Sequence, residues 1–308
     1  MEYRKKNTMK TRKVKKHNQR KETLEDFMLR LVKGAIDIAQ KEAATFSRIV
    51  KTSYSGVDDD LVTSADLKIQ DFHVPEIVEW DPKGGLIGEE KALRIEPEDG
   101  FQTGRYFTDD PVDGTKAFGR RQSTGVATML AHVDNGTVDA VCLGDINTNE
   151  IYQFAPNVSP TRTRFGVKTP LQPNTEARLD SLYVLLDNPP DNFPVVLQKM
   201  IRKEKGGVFK DIEVTSGSIG ITVARIWKGE VGMIIMRPNS FNTPWDSTPP
   251  IGMNKVLGIK HLRLDPATLE IYEFNPELPL EVRRKEYIEI LVHETRAAEV
   301  MRWIKQHR

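Results

Sequence analysis

The sequence holds one cysteine, Cys142, in 308 residues. A lone cysteine excludes an intramolecular disulfide and suits a reducing, cytoplasmic setting. It sits in the apolar run Val138-Asp139-Ala140-Val141-Cys142-Leu143, with no basic neighbour to lower its pKa. That reads as a packed core thiol, not a nucleophile. No apolar stretch approaches the roughly 18–20 residues needed to cross a bilayer as a helix, and the longest, around Val231–Met236, reads as a buried strand. The 6 histidines (His17, His73, His132, His261, His293 and His307) fall in no zinc-like spacing. There is no G-x-S-x-G, and Gly84-Gly85-Leu86-Ile87-Gly88 lacks the G-x-G-x-x-G spacing of a dinucleotide site. Zinc chemistry, a serine nucleophile and a Rossmann site are therefore set aside.

At 38% hydrophobic and 29% charged residues, the chain can bury a core and reads as globular. Its net charge of +1 conceals an asymmetry. Residues 1–21 carry ten Lys/Arg and one acid, which leaves 35 basic and 43 acidic residues for the body. An acidic body argues against nucleic-acid binding by the folded surface. Residues 1–22 read as a basic, disordered tail, with a polyanion-binding arm or a transit peptide as the sharper alternatives. Nucleic acid would enter only through that tail.

Structure is expected from Thr23, where Thr23 and Asp26 resemble a capping box. Leu24, Phe27, Met28, Leu31, Val32 and Ile36 form the stripe of an amphipathic helix running towards Lys51. A second helix is expected from Ser64 or Ala65, bent or ended by Pro75. Val126–Val133, Val138–Ile146 and Ile151–Phe154, separated by turn sequences, read as an antiparallel meander. Residues 156–180, rich in Pro, Thr and Arg, read as a loop or boundary. Strands and helices then alternate to the end: Ser181–Leu186, Phe193–Lys203, a helix after Val214–Ser218, Val231–Met236, Tyr287–Val292 and Thr295–Gln306. The pattern is a mixed α/β (α+β) chain in two coupled halves, 23–165 and 166–308.

Four acidic segments carry the chemistry: Asp60-Leu61-Val62-Thr63-Ser64-Ala65-Asp66, Ile87-Gly88-Glu89-Glu90, Asp109-Asp110-Pro111-Val112-Asp113-Gly114-Thr115, and Trp245-Asp246-Ser247. Singly, each has a plain explanation as a helix cap, a solvated charge pair or a turn opener. The third resists it. A strand runs into two aspartates fixed by Pro111, with a carbonyl between them and a Gly-Thr turn after. These are hard oxygen ligands of the kind Mg²⁺ prefers. The amides of that turn suit a phosphate.

The order D-L-V-T-x-x-D, G-E-E, D-P-x-D-G-T, W-D resembles the inositol monophosphatase superfamily, from about Thr23 to the C-terminus. That group includes inositol monophosphatases, 3′,5′-bisphosphate nucleotidases, histidinol phosphatases and fructose-1,6-bisphosphatases. The resemblance implies a layered α-β-α-β-α sugar-phosphatase-type fold, a homodimer, sensitivity to lithium, and Mg²⁺-dependent hydrolysis of a small phosphorylated metabolite with two or three Mg²⁺ ions. It assigns Glu89, Asp110 and the Val112 carbonyl to a first ion, Asp110, Asp113 and Asp246 to a second, and Glu89 to the neighbourhood of a third. Asp66 and Thr115 would orient and deprotonate the attacking water, with Glu89 assisting. Gly114, Thr115, Lys116, Ser218 and Gly220 would meet the substrate. Ser247-Thr248-Pro249-Pro250 departs from the small residues that usually follow W-D, which bears on the first helical turn at Asp246. Lys116 and the lack of a carboxylate in Pro238-Asn239-Ser240-Phe241-Asn242 lean towards a 3′,5′-bisphosphate nucleotide. Inositol 1-phosphate or histidinol phosphate is the alternative substrate, and a catalytically weak binding or scaffold homologue the alternative class.

Overall fold

A computed structural model describes residues 22–54, 56, 58 and 60–308. The basic segment 1–21 lies outside the described residues. The helix Leu24–Glu42 starts as expected, with the Thr23 hydroxyl accepting the Asp26 N–H at 3.1 Å. Its stripe buries Phe27, Met28, Leu31, Val32, Ala35, Ile36 and Ala39. It stops at Glu42, well short of Lys51. Thr45-Phe46-Ser47 breaks the stripe, and the β-branched Ile49 and Val50 enter the strand Arg48–Lys51, which pairs antiparallel with Asp60–Thr63. The next helix, Ser64–Trp80, runs through Pro75. The carbonyl that Pro75 cannot serve belongs to exposed Asp71, where water can meet it.

The chain then builds an eight-stranded sheet in the order 167–170, 158–164, 151–155, 137–145, 127–134, 106–113, 85–88, 94–95. All its pairs are antiparallel except Gly85–Gly88 with Tyr106–Asp113. The expected meander forms its centre, turned at Asn135 and Gly136, both in the left-handed region. Residues 156–180, read as a loop or boundary, instead include the hairpin Val158–Arg164 and Val167–Pro170, which extends this sheet past residue 165. A six-stranded sheet follows in the order 211–214, 183–186, 233–236, 288–293, 259–264, 271–274.

Three apolar clusters cement five layers. The helices Leu24–Glu42 and Ser64–Trp80 cover the outer face of the first sheet through Phe27, Leu31, Ile69, Leu130 and Cys142. The helices Ile219–Trp227 and Pro244–Val256 lie between the sheets with Met129, Leu143, Trp227 and Met253. The helices Val195–Met200 and Glu294–His307 close the far side over Val184, Ile235 and Ile290. This is the α-β-α-β-α arrangement expected. Cys142 is a buried core thiol, its pKa pushed up by burial.

Candidate metal centre

Asp110 and Asp113 are three residues apart, so a regular strand would point them to opposite faces. The strand Tyr106–Asp113 is not regular. Its pairing with Ala127–Asp134 slips between Asp110, opposite Met129, and Asp113, opposite Ala127. Two residues, Pro111 and Val112, thus face one, Thr128. The extra residue of this bulge returns both carboxylates to the same side, and Pro111 sits where no ladder N–H is required. Gly114 follows at φ 89°, where a Cβ would meet the Gly125 carbonyl at 2.4 Å and the Ser218 nitrogen at 2.8 Å. Only glycine fits there.

Asp246 arrives from the other half of the chain. Its helix begins at Pro244, not at Asp246, and Pro249 and Pro250 lie inside it. Asp246 therefore occupies the first turn, with its N–H on the Thr243 hydroxyl at 3.1 Å. The prolines do not displace it. Asp110, Asp113 and Asp246 each bring a carboxylate oxygen to within 4.8 Å of the others.

Glu89, extending from the parallel strand Gly85–Gly88, does not join that trio. It faces the Lys51 ammonium at 3.1 Å, which also contacts Glu90 at 2.9 Å and Asp60 at 3.9 Å. Lys51 was hidden from sequence reasoning by the expectation that the first helix reached it; a lone lysine has no motif. Burial works against its charge, but Glu89, Glu90 and Asp60 hold it well above the usual lysine range.

Burial dominates the electrostatics. It pushes Asp110 well above the carboxylate range, reinforced by the charges of Glu89, Asp246 and Asp113. Asp113 is raised to about 7 by burial and Asp246, against the donors of Ser218, Gly220 and Ile219. Burial also raises Asp246 and Glu89. The Asp110 Oδ1 is buried without a partner among the described residues. A crowded set of oxygen donors, an orphaned carboxylate oxygen and an ammonium drawn among carboxylates fit divalent cations with hard-ligand preferences.

The remaining predicted residues surround this cluster. Thr63 caps the helix Ser64–Trp80 and Asp66 completes the box, its Oδ2 accepting the Thr63 N–H at 2.8 Å and the Thr63 hydroxyl. Asp66 Oδ1 lies 3.2 Å from Thr115 Oγ1, which is also 2.8 Å from the Val112 carbonyl. Asp66 is pushed up to about 6 by burial, with Thr63 opposing. Ser218 Oγ and the Gly220 N–H, expected to meet substrate, donate to Asp113; the Gly220 contact is 2.8 Å and the Ile219 N–H adds one at 3.0 Å. Lys116 is exposed. Sequence reasoning also missed the fully buried pair His73 and Asp109, 2.9 Å apart behind Asp110.

This fold and this carboxylate centre define a metal-dependent phosphoric monoester hydrolase. A model of the inositol monophosphatase family matches residues 20–266, and the chain belongs to that family. Among solved structures, extragenic suppressor protein suhB from Bartonella henselae is 18% identical at a TM-score of 0.69, covering 92% of this chain and 99% of that one. An inositol monophosphatase from Thermotoga maritima is 18% identical at 0.66, covering 92% and 96%. An inositol monophosphatase/NADP phosphatase complexed with Mg²⁺ and phosphate is 15% identical at 0.67, covering 91% and 94%. No curated protein sequence matches it.

Proposed function

We propose that this chain hydrolyses a phosphate monoester of a small metabolite with Mg²⁺, preferring a 3′,5′-bisphosphorylated nucleoside to inositol 1-phosphate or histidinol phosphate. The convergence of Asp110, Asp113 and Asp246 supports the chemistry. Asp110 would be shared between two ions, one also held by Glu89 and the Val112 carbonyl, the other by Asp113 and Asp246. Bound there, two or three Mg²⁺ ions would supply Lewis-acid polarisation of the phosphoryl group and neutralise charge on the leaving oxygen.

The chain's own residues supply the rest. Asp66 Oδ2 is taken by Thr63, so Oδ1 is the end that can accept a proton. Thr115 Oγ1 stands beside it. We assign to this pair the orientation of the attacking water and removal of its proton. The Gly114 and Thr115 amides and the Lys116 ammonium would hold phosphate oxygens as charge builds. Ser218 and Gly220 act one step back, by fixing Asp113.

The sugar of the leaving group would occupy a cavity of about 190 Å³ that opens on Asp246. Phe241 lines it, and Tyr54 lies 6.0 Å from Phe241 and 6.4 Å from Trp245, ring centre to ring centre. Aromatic faces beside the cavity suit a base, whose stacking is worth about 1–3 kcal/mol. Asp187, a carboxylate on the same wall, favours the polyol reading as the second choice. The test is kcat/KM on both esters at saturating Mg²⁺. The bisphosphate should exceed inositol 1-phosphate; equal or better turnover of inositol 1-phosphate would return the chain to a polyol substrate. A cytoplasmic homodimer is proposed with this reading, and sedimentation as a monomer would contradict the assembly.

A further inference from the structure

The cavity that opens on Asp246 ends at a buried polar chain that the hydrolytic steps do not use. Trp227 donates from Nε1, its one polar side-chain atom, to Asn254 Oδ1 at 2.7 Å. That fixes the Asn254 amide, so its Nδ2 donates to His261 Nε2 at 3.1 Å. His261 then carries its proton on Nδ1 and donates to Glu289 Oε1 at 2.7 Å. Glu289 Oε2 accepts from Lys285 Nζ at 2.9 Å. Every orientation follows from the donor-only indole at the start, and both Glu289 oxygens are engaged.

Lys285 is held in one place by this chain, 5% exposed and lining the cavity. An ammonium has three donors, and Glu289 takes one. The Tyr287 ring centre lies 6.0 Å from Nζ, and the donors still without an acceptor call for a partner in the cavity, because buried unsatisfied donors are costly. Arg237 lines the same cavity. Its backbone N–H is bound by both Asp187 oxygens, at 2.9 and 3.1 Å. Its guanidinium makes no hydrogen bond or ion pair to a described residue. Of the three carboxylates that line the cavity, Asp246 belongs to the metal centre, Glu289 is tied by His261 and Lys285, and Asp187 is tied by the Arg237 backbone while its charge faces both cations. Lys285 and Arg237 keep N–H donors to offer. The volume of about 190 Å³ lies below the ~300 Å³ at which drug-sized pockets begin, so it takes a ring-sized fragment.

We propose that Lys285 and Arg237 form the specificity subsite of the reaction, a clamp for a second phosphate carried on the sugar of the leaving nucleoside. This rests on the bisphosphate reading above. The test is calorimetric titration of the full chain, with Ca²⁺ in place of Mg²⁺ to slow turnover, against a nucleoside 3′,5′-bisphosphate and the matching 3′-monophosphate. The native protein should bind the bisphosphate at least about tenfold more tightly, the scale of one hydrogen bond to a charged group. Arg237→Gln and Lys285→Gln should each cut that ratio by about tenfold. Arg284→Gln should keep it, because that guanidinium is bonded to Asn239 at 3.1 Å and does not line the cavity. If Lys285→Gln does not fold, exposed Arg237 carries the test. A native ratio kept by both variants would overturn the clamp and leave the bisphosphate reading standing. A native ratio near one would overturn both, leaving a phosphomonoesterase of another substrate.

Discussion

Asp110 is 1% exposed, has one oxygen unpartnered among the described residues, and shares a 4.8 Å neighbourhood with the carboxylates of Asp113 and Asp246. Replacing it with asparagine should therefore move stability and activity in opposite directions. Two unit charges at that separation repel by about 3 kcal/mol at an effective dielectric near 20. Asparagine removes Asp110 from two such pairs, and proton sharing among the three reduces the gain to about 1–3 kcal/mol. In a chain of this size each kcal/mol moves the melting temperature by roughly 2–4 °C. In EDTA at pH 8.5, Asp110→Asn should thus melt several degrees above the native protein. With Mg²⁺ the order should reverse, because the variant loses the ligand both ions would share, and turnover should fall at least about a hundredfold. Thermal denaturation with and without Mg²⁺, alongside phosphate release, reads all three effects. A variant that melts lower in EDTA, keeps the full Mg²⁺-induced rise and turns over normally would refute the reasoning.

The pH dependence of the metal-free protein follows from the same groups. Asp66 and Asp113, raised to about 6 and 7, bind protons in the folded state that the unfolded chain has already released, so stability should fall from about pH 4 to 7. Glu289, held at about 2 by Lys285 and His261 against burial, works the other way, and its contribution is lost as pH falls from about 4.5 towards 2. Melting temperature in EDTA that climbs steadily from pH 4 to 8 would contradict this. Lithium at millimolar concentration should inhibit at limiting Mg²⁺ by competing among Asp110, Asp113 and Asp246; unchanged turnover would remove that proposal. Deleting residues 1–21 should leave melting temperature and turnover of small substrates nearly unchanged, and a large loss would show that the segment docks on the acidic body.

The layered fold was legible where apolar periodicity was strong, as in the stripe from Phe27 to Ile36 and the runs around Met129 and Val141. The hairpin Val158–Pro170 was not. Both its faces are largely solvated, so Thr161, Arg162 and Thr163 show no alternation to betray a strand. The strands Ser240–Asn242 and Arg283–Lys285 are three residues each, too short for any alternation to show. At the site, the acidic motifs announced the carboxylates, but not how they would turn. Glu89 faces Lys51, and Ser218 and Gly220 face Asp113, because these contacts join segments far apart in sequence. The Trp227–Asn254–His261–Glu289–Lys285 chain was invisible for that reason too.

The most direct test of the central claim is phosphate release from a panel of small phosphate esters by the native protein and by Asp246→Asn, each with Mg²⁺ and with EDTA. The native protein should release phosphate only with Mg²⁺, and Asp246→Asn should fall by at least about a hundredfold. Release that survives EDTA, or that Asp246→Asn leaves intact, would contradict a metal-dependent phosphatase built on these carboxylates.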